Sequence, residues 1–268
     1  MPERIEIFDK EIKKIHRDRA TKNLTKSDFL IRECESRLAD IFNGEIIKKF
    51  PTALNIGART GKYSNKIIKN AGVTNLTNSE ISEKMLAQCK SGTNIVIDEE
   101  KLTFDNESFD MIFSILNLHW TNNLPATLMK IRNLLKKEGL FIATIFGGET
   151  LKELRHSILE AEMEHSEISP RISPFVHVKD AGMLLQKSGF NLPVAASDII
   201  TVEYSSAFEL MNDLKNMGET NALTKRSKKF LTRSKLNDIA AKYSELFSND
   251  EGNITASFEI ITLTGWRD

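Results

Sequence analysis

The stretch that decides the fold is LNIGARTGKYS, residues Leu54–Ser64. An apolar segment, predicted to be a strand, runs into a turn containing Gly57 and Gly61, and a helical pattern follows from Lys62. Glycine tolerates backbone angles that a side chain blocks, and the free N–H groups at the start of a helix favour polar or anionic ligands. This order predicts a nucleotide-binding turn. The spacing G-x-x-x-G differs from the dinucleotide pattern G-x-G-x-x-G, so an ordinary strand, turn and helix of an α/β protein is the alternative.

An acidic residue follows the second predicted strand. Residues Val73–Leu76 have the pattern of a short strand, and Glu80 lies 23 positions after Gly57. An acid about 20 residues beyond the glycine turn is placed to accept hydrogen bonds from two ribose hydroxyls. Alternatively, Glu80 stabilises the start of the next helix, for which Ser82 is the predicted N-cap.

The third predicted strand also ends in acidic residues. It ends at Asp98, whose carboxylate suits an exocyclic amine such as that of adenine, and the N–H of Glu99 suits a ring nitrogen. Because Asp98-Glu99-Glu100 is also a run of charges, a solvated acidic loop is the alternative.

His119 and Trp120 follow the fourth predicted strand, Phe109–Leu116, which is almost continuously apolar. Such a run suits a strand buried on both faces of a parallel sheet, and open α/β sheets bind ligands beyond the carboxyl ends of their strands. His119 is therefore the candidate general base, since its ordinary pKa is about 6.5. Trp120 is a candidate π surface for a cation. A structural histidine is the alternative.

The order of the predicted elements indicates an α/β fold. Helices alternate with the first five strands, which favours a mostly parallel sheet with helices on both faces. The strands are predicted near residues 52–57, 73–77, 94–97, 109–116, 140–146, 196–204 and 256–264.

The chain divides into a core and added helical segments. These are an N-terminal helical segment (1–50), the nucleotide-binding core (51–146), an insertion (147–177), further core (178–204), a helical insertion (205–250) and a final core strand (251–268). We interpret both insertions and the N-terminal helices as a lid that excludes water; peripheral packing is the alternative. Arg171, Asn216 and Glu219 are the candidate substrate contacts in this lid, and Arg171 suits a carboxylate or an acidic surface.

These motifs together resemble the class I S-adenosylmethionine-dependent methyltransferases. LNIGARTG (54–61) is similar to the glycine-rich motif, SEISEKML (79–86) to the acidic second motif and DEEKLTFDNESFDMIFS (98–114) to the third and fourth motifs. LLKKEGLFIATIF (134–146) is similar to the approach to the fifth strand, where Gly139 is expected to end a helix. The resemblance implies a Rossmann-like fold with seven strands, the last antiparallel, and S-adenosyl-L-methionine as cofactor. The residues implied for cofactor binding are Asn55, Gly57, Ala58, Gly61, Glu80, Ile81, Met85, Asp98, Glu99 and Leu116.

A narrower resemblance extends over nearly the whole chain. It is carried by IFDKEIKKIHRDRA (7–20), LNLHWTNNLP (116–125), FGGETLKELR (146–155), SPRISPF (169–175), MNDLKNMGETNAL (211–223) and LTGW (263–266). These segments resemble the subgroup that contains the mitochondrial assembly factor 5 of respiratory complex I and its bacterial relatives. The malonyl-carrier-protein methyltransferases of biotin synthesis are more distant.

The resemblance implies one preferred function and several alternatives. The preferred function is methyl transfer to a protein acceptor, with an NADH dehydrogenase subunit as the implied partner. Arginine hydroxylation and a chaperone role in complex I assembly are alternatives, although the sequence offers no obvious iron triad of two histidines and a carboxylate. Formation of a methyl ester on a malonyl-carrier protein is a further alternative function. The implied location is the bacterial cytoplasm, or the matrix side if the protein is organellar.

Two residues depart from the family's turn, which reads acidic-x-Gly-x-Gly-x-Gly. Asn55 replaces the acid and brings no charge to offset the ammonium of the cofactor. Arg59 replaces the middle glycine, so it either contacts the cofactor's carboxylate or points to solvent. Because an inward-facing cation would repel the sulfonium, we expect its guanidinium to lie outside the adenosine pocket.

Composition limits the classes of partner, compartment and metal site that the sequence supports. The chain has 37 Lys and Arg against 37 Asp and Glu, and this zero net charge argues against a nucleic acid held by a broad basic face. Cys34 and Cys89 do not suggest a disulfide framework, which favours a reducing compartment. We expect no metal site, because even His156 and His165 approach only loosely. No apolar run reaches the length of a membrane span, and no signal peptide is expected.

Overall fold

The computed structural model describes residues 6–44, 46–164, 169–227 and 231–268. The predicted α/β fold is confirmed, since seven strands form one mixed sheet flanked by helices. The strands are β1 (Thr52–Ile56), β2 (Asn75–Glu80), β3 (Thr93–Val96), β4 (Phe109–Ile115), β5 (Leu135–Phe146), β6 (Asn191–Tyr204) and β7 (Ile254–Trp266). The α-helices of the described residues are α1 (Lys10–Ala20), α2 (Phe29–Asp40), α3 (Asn65–Ala71), α4 (Glu83–Leu86), α5 (Leu124–Leu134), α6 (Lys152–Glu164), α7 (Val178–Lys187), α8 (Ala207–Met217) and α9 (Arg233–Phe247).

The strand order is β3-β2-β1-β4-β5-β7-β6. Strands β1 to β5 pair in parallel, whereas β7 is antiparallel to both β5 and β6. The expected antiparallel last strand is therefore confirmed. Because β2, β1 and β4 are adjacent and parallel, the residues that follow them meet at one edge of the sheet, where the strand order reverses.

The central strands of the sheet are buried on both faces, whereas β3 and β6 at its edges are largely exposed. Ile112 and Phe113, neighbours on β4, are each 0% exposed. Phe113 packs in the same cluster as Ile31 of α2, whereas Ile112 packs in another cluster with Leu128 of α5. Alternate side chains of a strand point to opposite faces, so the almost continuously apolar sequence of β4 is what a sheet covered on both sides requires.

The helix expected to end at Gly139 ends five residues earlier, at Leu134. Strand β5 begins directly at Leu135, which pairs with Phe109, and regular pairing resumes at Leu140 after an irregularity. Gly139 therefore belongs to the irregular start of a strand. The pairing of Leu135 with β4 satisfies backbone groups that a further helical turn would otherwise satisfy.

The strand bounds differ from the predicted ones, most visibly at β2, β3 and β6, while β5 and β7 are also longer than predicted. Strand β2 continues to Glu80, because Glu80 pairs with Val96 of β3, so the acid is the last residue of the strand and does not lie beyond it. Strand β3 ends at Val96, two residues before Asp98. Strand β6 begins at Asn191, because its pairing with β7 extends back to Trp266.

The added helices pack around the sheet edge that carries the candidate residues. Helix α1 packs against α4 and α8, and α6 packs against α9 and β7. An isolated bridge joins Phe8, just before α1, to Leu223, which follows α8. The N-terminal segment and the segment after α8 therefore lie side by side, and a role for them as a lid stays a prediction.

The remaining features concern membrane-spanning helices, metal-binding groups and cysteines. None of the helices within the described ranges is both long and apolar enough to cross a bilayer. No group of three or more His, Cys, Asp or Glu in those ranges is placed to hold a metal ion. Cys34 and Cys89 are free thiols, and burial raises the pKa of Cys34 to about 12. The expected approach of His165 to His156 lies outside the described residues.

Candidate active site

The turn after β1 contacts the residue that closely follows β4. Gly57 and Gly61 have φ angles of 72° and 70°, and the N–H of Gly57 donates to the carbonyl of Ser79 at 2.8 Å. A Cβ added to Gly57 would lie 2.2 Å from Cγ of Asn117, and one added to Gly61 would lie 2.8 Å from Sγ of Cys89. Both positions therefore require glycine, for their backbone angles and for space.

Glu80, at the end of β2, links the glycine turn to the start of α4. Its Oε2 accepts a hydrogen bond from the N–H of Arg59 at 3.0 Å, and its Oε1 accepts from the N–H groups of Ile81 and Ser82 at 3.0 and 3.2 Å. Glu80 is 1% exposed. A carboxylate offers about four acceptor sites, so Oε2 can accept from a further donor. Ser82 caps α4 as predicted, since its Oγ accepts from the N–H of Met85 at 3.1 Å.

The acidic residues after β3 bind α1 in this structure. Nζ of Lys10 lies 3.2 Å from Oδ1 of Asp98, 2.8 Å from Oε1 of Glu99 and 3.0 Å from Oε2 of Glu100. Nζ of Lys13 lies 2.7 Å from the same oxygen of Glu99, and both side chains are buried. Burial alone would raise the pKa of Glu99, but the charges of Lys13 and Lys10 outweigh it and hold that pKa well below its usual range. The carboxylates expected at the adenine position thus anchor the N-terminal helix.

A buried polar cluster surrounds Glu219; we call Glu219, Arg17, Arg59, His119 and Trp120 the Glu219 cluster. Oε1 of Glu219 accepts from Nη2 of Arg17 at 3.2 Å and from Nη2 of Arg59 at 3.1 Å. Oε2 accepts from Nε1 of Trp120 at 2.7 Å and lies 3.1 Å from Nε2 of His119. One carboxylate from the segment after α8 therefore binds α1, the glycine turn and the short 3-10 helix after β4.

Burial sets the protonation states in the Glu219 cluster. It would raise the pKa of Glu219, but the charge of Arg17, the hydrogen bond from His119 and the charge of Arg59 hold that pKa well below its usual range. Burial lowers the pKa of His119 more than the bond to Glu219 raises it. The imidazole is therefore neutral near pH 7, and we assign its proton to Nε2, which donates to Glu219 and leaves Nδ1 as the basic atom. Burial and then the charge of Arg17 lower the pKa of Arg59 to about 10, which leaves the guanidinium charged.

The guanidinium of Arg59 does not point to solvent, which is one of the two positions expected for it, and its place outside the adenosine pocket stays a prediction. Its Nη1 and Nη2 donate to the carbonyls of Ile115 and Leu116 at 2.6 and 2.7 Å, beside the bond to Glu219. The side chain is 2% exposed. Carbonyl groups at the end of β4 and the carboxylate of Glu219 supply the acceptors that a buried guanidinium needs. The guanidinium therefore crosses the carboxyl end of β4, against Leu116.

A cavity of about 260 Å³ adjoins the Glu219 cluster. Trp120, Glu219 and Arg171 line it, and the other wall residues are mostly aliphatic or aromatic, including Phe146 and Phe258. Arg171 is held by Glu162, with Nε 2.5 Å from Oε1. The cavity therefore presents a carboxylate and a guanidinium on largely apolar walls. This arrangement suits a side chain with an apolar stem and a polar end.

The structure brings most of the predicted site residues together and separates three. Asn55 lies within the sheet, where its Nδ2 donates to Oδ1 of Asn78 at 3.3 Å. Met85 is fully buried in the core. Asn216 donates to Oγ of Ser27 at 3.1 Å and does not line the cavity, so the structure does not support it as a substrate contact. The residues at the common sheet edge are Gly57, Ala58, Gly61, Glu80, Ile81, Asp98, Glu99, Leu116, His119, Trp120 and Glu219, and their roles stay predictions.

Sequence reasoning missed the contribution of α1. Lys10, Lys13 and Arg17 have the spacing i, i+3, i+7, which puts them on one face of the helix. A charged helix face is ordinarily exposed to solvent, yet Lys13 and Arg17 are only 1% and 0% exposed. The spacing was therefore a usable signal for a shared face, but no pattern in the sequence indicated that this face is buried against acidic residues.

Comparisons with known proteins agree with this geometry. Residues 54–143 match the family model described as "Methyltransferase domain". The chain is 40% identical over 273 residues to the mouse protein named "Arginine-hydroxylase NDUFAF5, mitochondrial", an alignment that covers 99% of this chain and 79% of the mouse protein. It is 29% identical to the "Malonyl-[acyl-carrier protein] O-methyltransferase" of Xylella fastidiosa, covering 92% and 84% of the two chains. Among solved structures, the YcgJ protein of Bacillus subtilis is similar in fold, with a TM-score of 0.59 at 12% identity over 87% of this chain and 98% of that one.

Proposed function

Because this chain belongs to the class I S-adenosylmethionine-dependent methyltransferase family, we propose that it transfers a methyl group from S-adenosyl-L-methionine to a side chain of a partner protein. One observation carries the proposal. The glycine turn, the buried carboxylate of Glu80 and the pair His119 and Trp120 lie at one sheet edge, and a largely apolar cavity reaches this edge at Trp120 and Glu219.

The residues at this edge fit the cofactor by chemistry. Because Gly57 has no Cβ, a ligand can approach the backbone of this turn closely. Oε2 of Glu80 can accept from a ribose hydroxyl, and Asp98 offers a carboxylate to the adenine amine. In the arrangement described, Lys10 of α1 is bonded to Asp98, whereas Glu219 is bonded to the side chain of Arg59. Binding of the adenine on this proposal therefore requires the contact of α1 with Asp98 to open.

The chain's own residues then have defined tasks. When bound, S-adenosyl-L-methionine supplies a methyl group already activated by its sulfonium, so the protein mainly aligns the acceptor and excludes water. Nδ1 of the neutral His119 can accept a proton from an acceptor that carries one. Before the cofactor binds, Trp120 holds the carboxylate of Glu219 through its indole N–H. The cavity walls would admit one side chain of the partner.

A protein partner is favoured by charge and by similarity. Zero net charge gives no support for a nucleic-acid substrate, and the subgroup resemblance points to an NADH dehydrogenase subunit. The mouse relative is named as mitochondrial, so we propose assembly of respiratory complex I as the setting, in a bacterial cytoplasm or on the matrix side.

A second candidate function is arginine hydroxylation. It is favoured by the 40% identity, over almost the whole chain, to a protein named as an arginine hydroxylase. The cavity is also consistent with an arginine acceptor, since the apolar walls suit the aliphatic stem and Glu219 suits the guanidinium. An arginine side chain is thus compatible with either candidate, and the two differ in the product.

The mass of the partner after reaction separates the candidates. Purified protein is incubated under air with S-adenosyl-L-methionine, a two-electron reductant and NADH dehydrogenase subunits, because hydroxylation takes one oxygen atom from dioxygen and releases the other as water. Each subunit is then weighed and sequenced by mass spectrometry. A gain of about 14 mass units on one residue supports methyl transfer, and a gain of about 16 on an arginine supports hydroxylation. A stable complex with an unmodified subunit would instead indicate a chaperone. Methylation of a free malonyl-carrier protein would contradict the protein side-chain acceptor. Glu80→Ala is the cofactor-site variant, which we expect to give less product at the same cofactor concentration.

A further inference from the structure

Unsatisfied buried donors concentrate around Glu219. Among the described residues, seven buried side-chain nitrogen or oxygen atoms have no hydrogen-bond partner in the protein. Five of them lie in or beside the Glu219 cluster: Nε and Nη1 of Arg17, Nε of Arg59, Nδ2 of Asn117 and Nδ1 of His119. Buried polar groups in native proteins are nearly always paired. Four of these five atoms carry N–H groups, and Nδ1 of His119 is an acceptor in the tautomer assigned above, so together they indicate a polar ligand.

The unpaired groups favour an anion. Arg17 and Arg59 share a single oxygen of Glu219, each through one Nη2 atom, although a guanidinium can bind a carboxylate through two N–H groups. One carboxylate oxygen therefore faces two buried guanidiniums, and the Nε atoms of both have no acceptor. A second carboxylate, or a better placed one, would satisfy both guanidiniums.

The position of Arg59 indicates which anion this is. Its backbone N–H donates to the proposed ribose-binding carboxylate of Glu80, and its guanidinium reaches the carbonyl of Leu116 beyond β4. An anion held by Arg59 and Arg17 would therefore lie between the ribose position and His119. The amino-acid part of S-adenosyl-L-methionine carries a carboxylate and joins the ribose through its sulfonium.

Glu219 lies just beyond the end of α8, where its backbone N–H donates to the carbonyl of Leu214 at 2.9 Å, so rotation about its side-chain bonds can take the carboxylate away while this cap stays in place. Helix α8 ends at Met217, and Gly218 closes it in the left-handed conformation with φ of 79°. Glu219 follows directly, and the next residue is held to α1 by a hydrogen bond of 2.9 Å between Oγ1 of Thr220 and Nδ1 of His16. A change confined to this side chain would remove the carboxylate from both guanidiniums.

We propose that Arg17 and Arg59 form the binding site for the carboxylate of the cofactor's amino-acid part, and that Glu219 occupies this site as an internal competitor. The proposal rests on the proposed function, since it names residues of the same cofactor site. Glu219 then has two states. It binds the guanidiniums when the cofactor is absent, and it is displaced when the cofactor binds.

Two ligands that differ in the carboxylate test this assignment by calorimetry. S-adenosylhomocysteine carries the amino-acid part, and 5′-methylthioadenosine lacks it. Glu219→Gln removes the competing charge, so we expect it to tighten S-adenosylhomocysteine binding about tenfold or more, because the competent state is a minor one in the wild type. It should leave 5′-methylthioadenosine binding within about twofold. Arg59→Gln should weaken S-adenosylhomocysteine binding about tenfold and leave 5′-methylthioadenosine unchanged. Glu251→Gln, at an exposed position, is the matched control.

A spectroscopic readout covers the case in which Glu219→Gln does not fold. In a Trp266→Phe background, Trp120 is the sole tryptophan, and its indole N–H donates to Glu219. Displacement of Glu219 should change its emission with S-adenosylhomocysteine but not with 5′-methylthioadenosine. Equal effects of both ligands, or equal effects of each substitution on both affinities, would overturn the assignment while the cofactor function stands. Failure of both ligands to bind any variant would overturn the proposed function together with this assignment.

Discussion

Replacing Glu219 by alanine should destabilise the fold strongly. The change leaves Arg17 and Arg59 buried without their shared carboxylate oxygen, and it removes the acceptor for His119 and Trp120. Removal of one partner from a buried ion pair costs about 3–5 kcal/mol, because the remaining charge is left uncompensated. We expect a loss of that size in the free energy of unfolding, measured by urea denaturation and circular dichroism.

Two comparisons make the test specific. Glu251→Ala, at an exposed position, should change the free energy of unfolding by less than about 0.5 kcal/mol. The double variant Glu219→Ala with Arg59→Met should lose less than the sum of the single losses, because the uncompensated guanidinium is removed as well. A loss no larger than that of Glu251→Ala, or strictly additive losses, would refute the reasoning.

The stabilisation by Glu219 should also depend on pH in a defined direction. Its pKa in the folded protein lies below the unfolded value of about 4.3. The stabilisation is therefore fully present above the unfolded pKa and is lost as the pH falls toward the folded pKa. The difference in unfolding free energy between wild type and Glu219→Ala should shrink below about pH 4.

Three further outcomes are expected. Glu80→Ala should weaken S-adenosylhomocysteine binding by about 1.5–3 kcal/mol in calorimetry; unchanged affinity would remove Glu80 from the site. Burial and the charge of Arg19 lower the pKa of His16 to about 4. The free energy of unfolding should therefore fall as the pH is lowered from 6.5 to about 4, because the imidazole takes up a proton in the unfolded chain first. His16→Gln should abolish this part of the pH dependence, and a profile identical to that of the wild type would contradict the expectation. Gly57→Ala should lower the free energy of unfolding by at least about 1–3 kcal/mol in thermal or urea denaturation, because φ of Gly57 is 72° and the added Cβ would lie 2.2 Å from Cγ of Asn117. An unchanged free energy of unfolding would show that the turn is not as tight as described.

The fold was predictable because its signals are local and periodic. The apolar run of β4 and the glycine turn after β1 each specify a strand end, and parallel pairing then brings Gly57, Glu80 and His119 to one edge. Pairing between strands decides the remaining boundaries. Gly139 has the sequence context of a helix end, yet the pairing of Leu135 with β4 places it in a strand.

The Glu219 cluster could not be predicted from sequence because it depends on long-range packing. Arg59 and Glu219 are separated by 160 positions, and Arg17 joins them from a third segment. An arginine beside a predicted cationic ligand suggested repulsion and an outward side chain. The structure instead compensates the charge with a carboxylate from the segment after α8, and no local pattern encodes that partner.

The most direct test of the central claim is a crystal structure of the protein with S-adenosylhomocysteine. The account predicts that the ribose hydroxyls lie within hydrogen-bond distance of the Glu80 carboxylate and that the ligand carboxylate contacts Arg59. It also predicts that Glu219 has moved away from Arg59 and Arg17. Ligand bound elsewhere, with Glu219 still bonded to both guanidiniums at about their present distances of 3.1 and 3.2 Å, would contradict it.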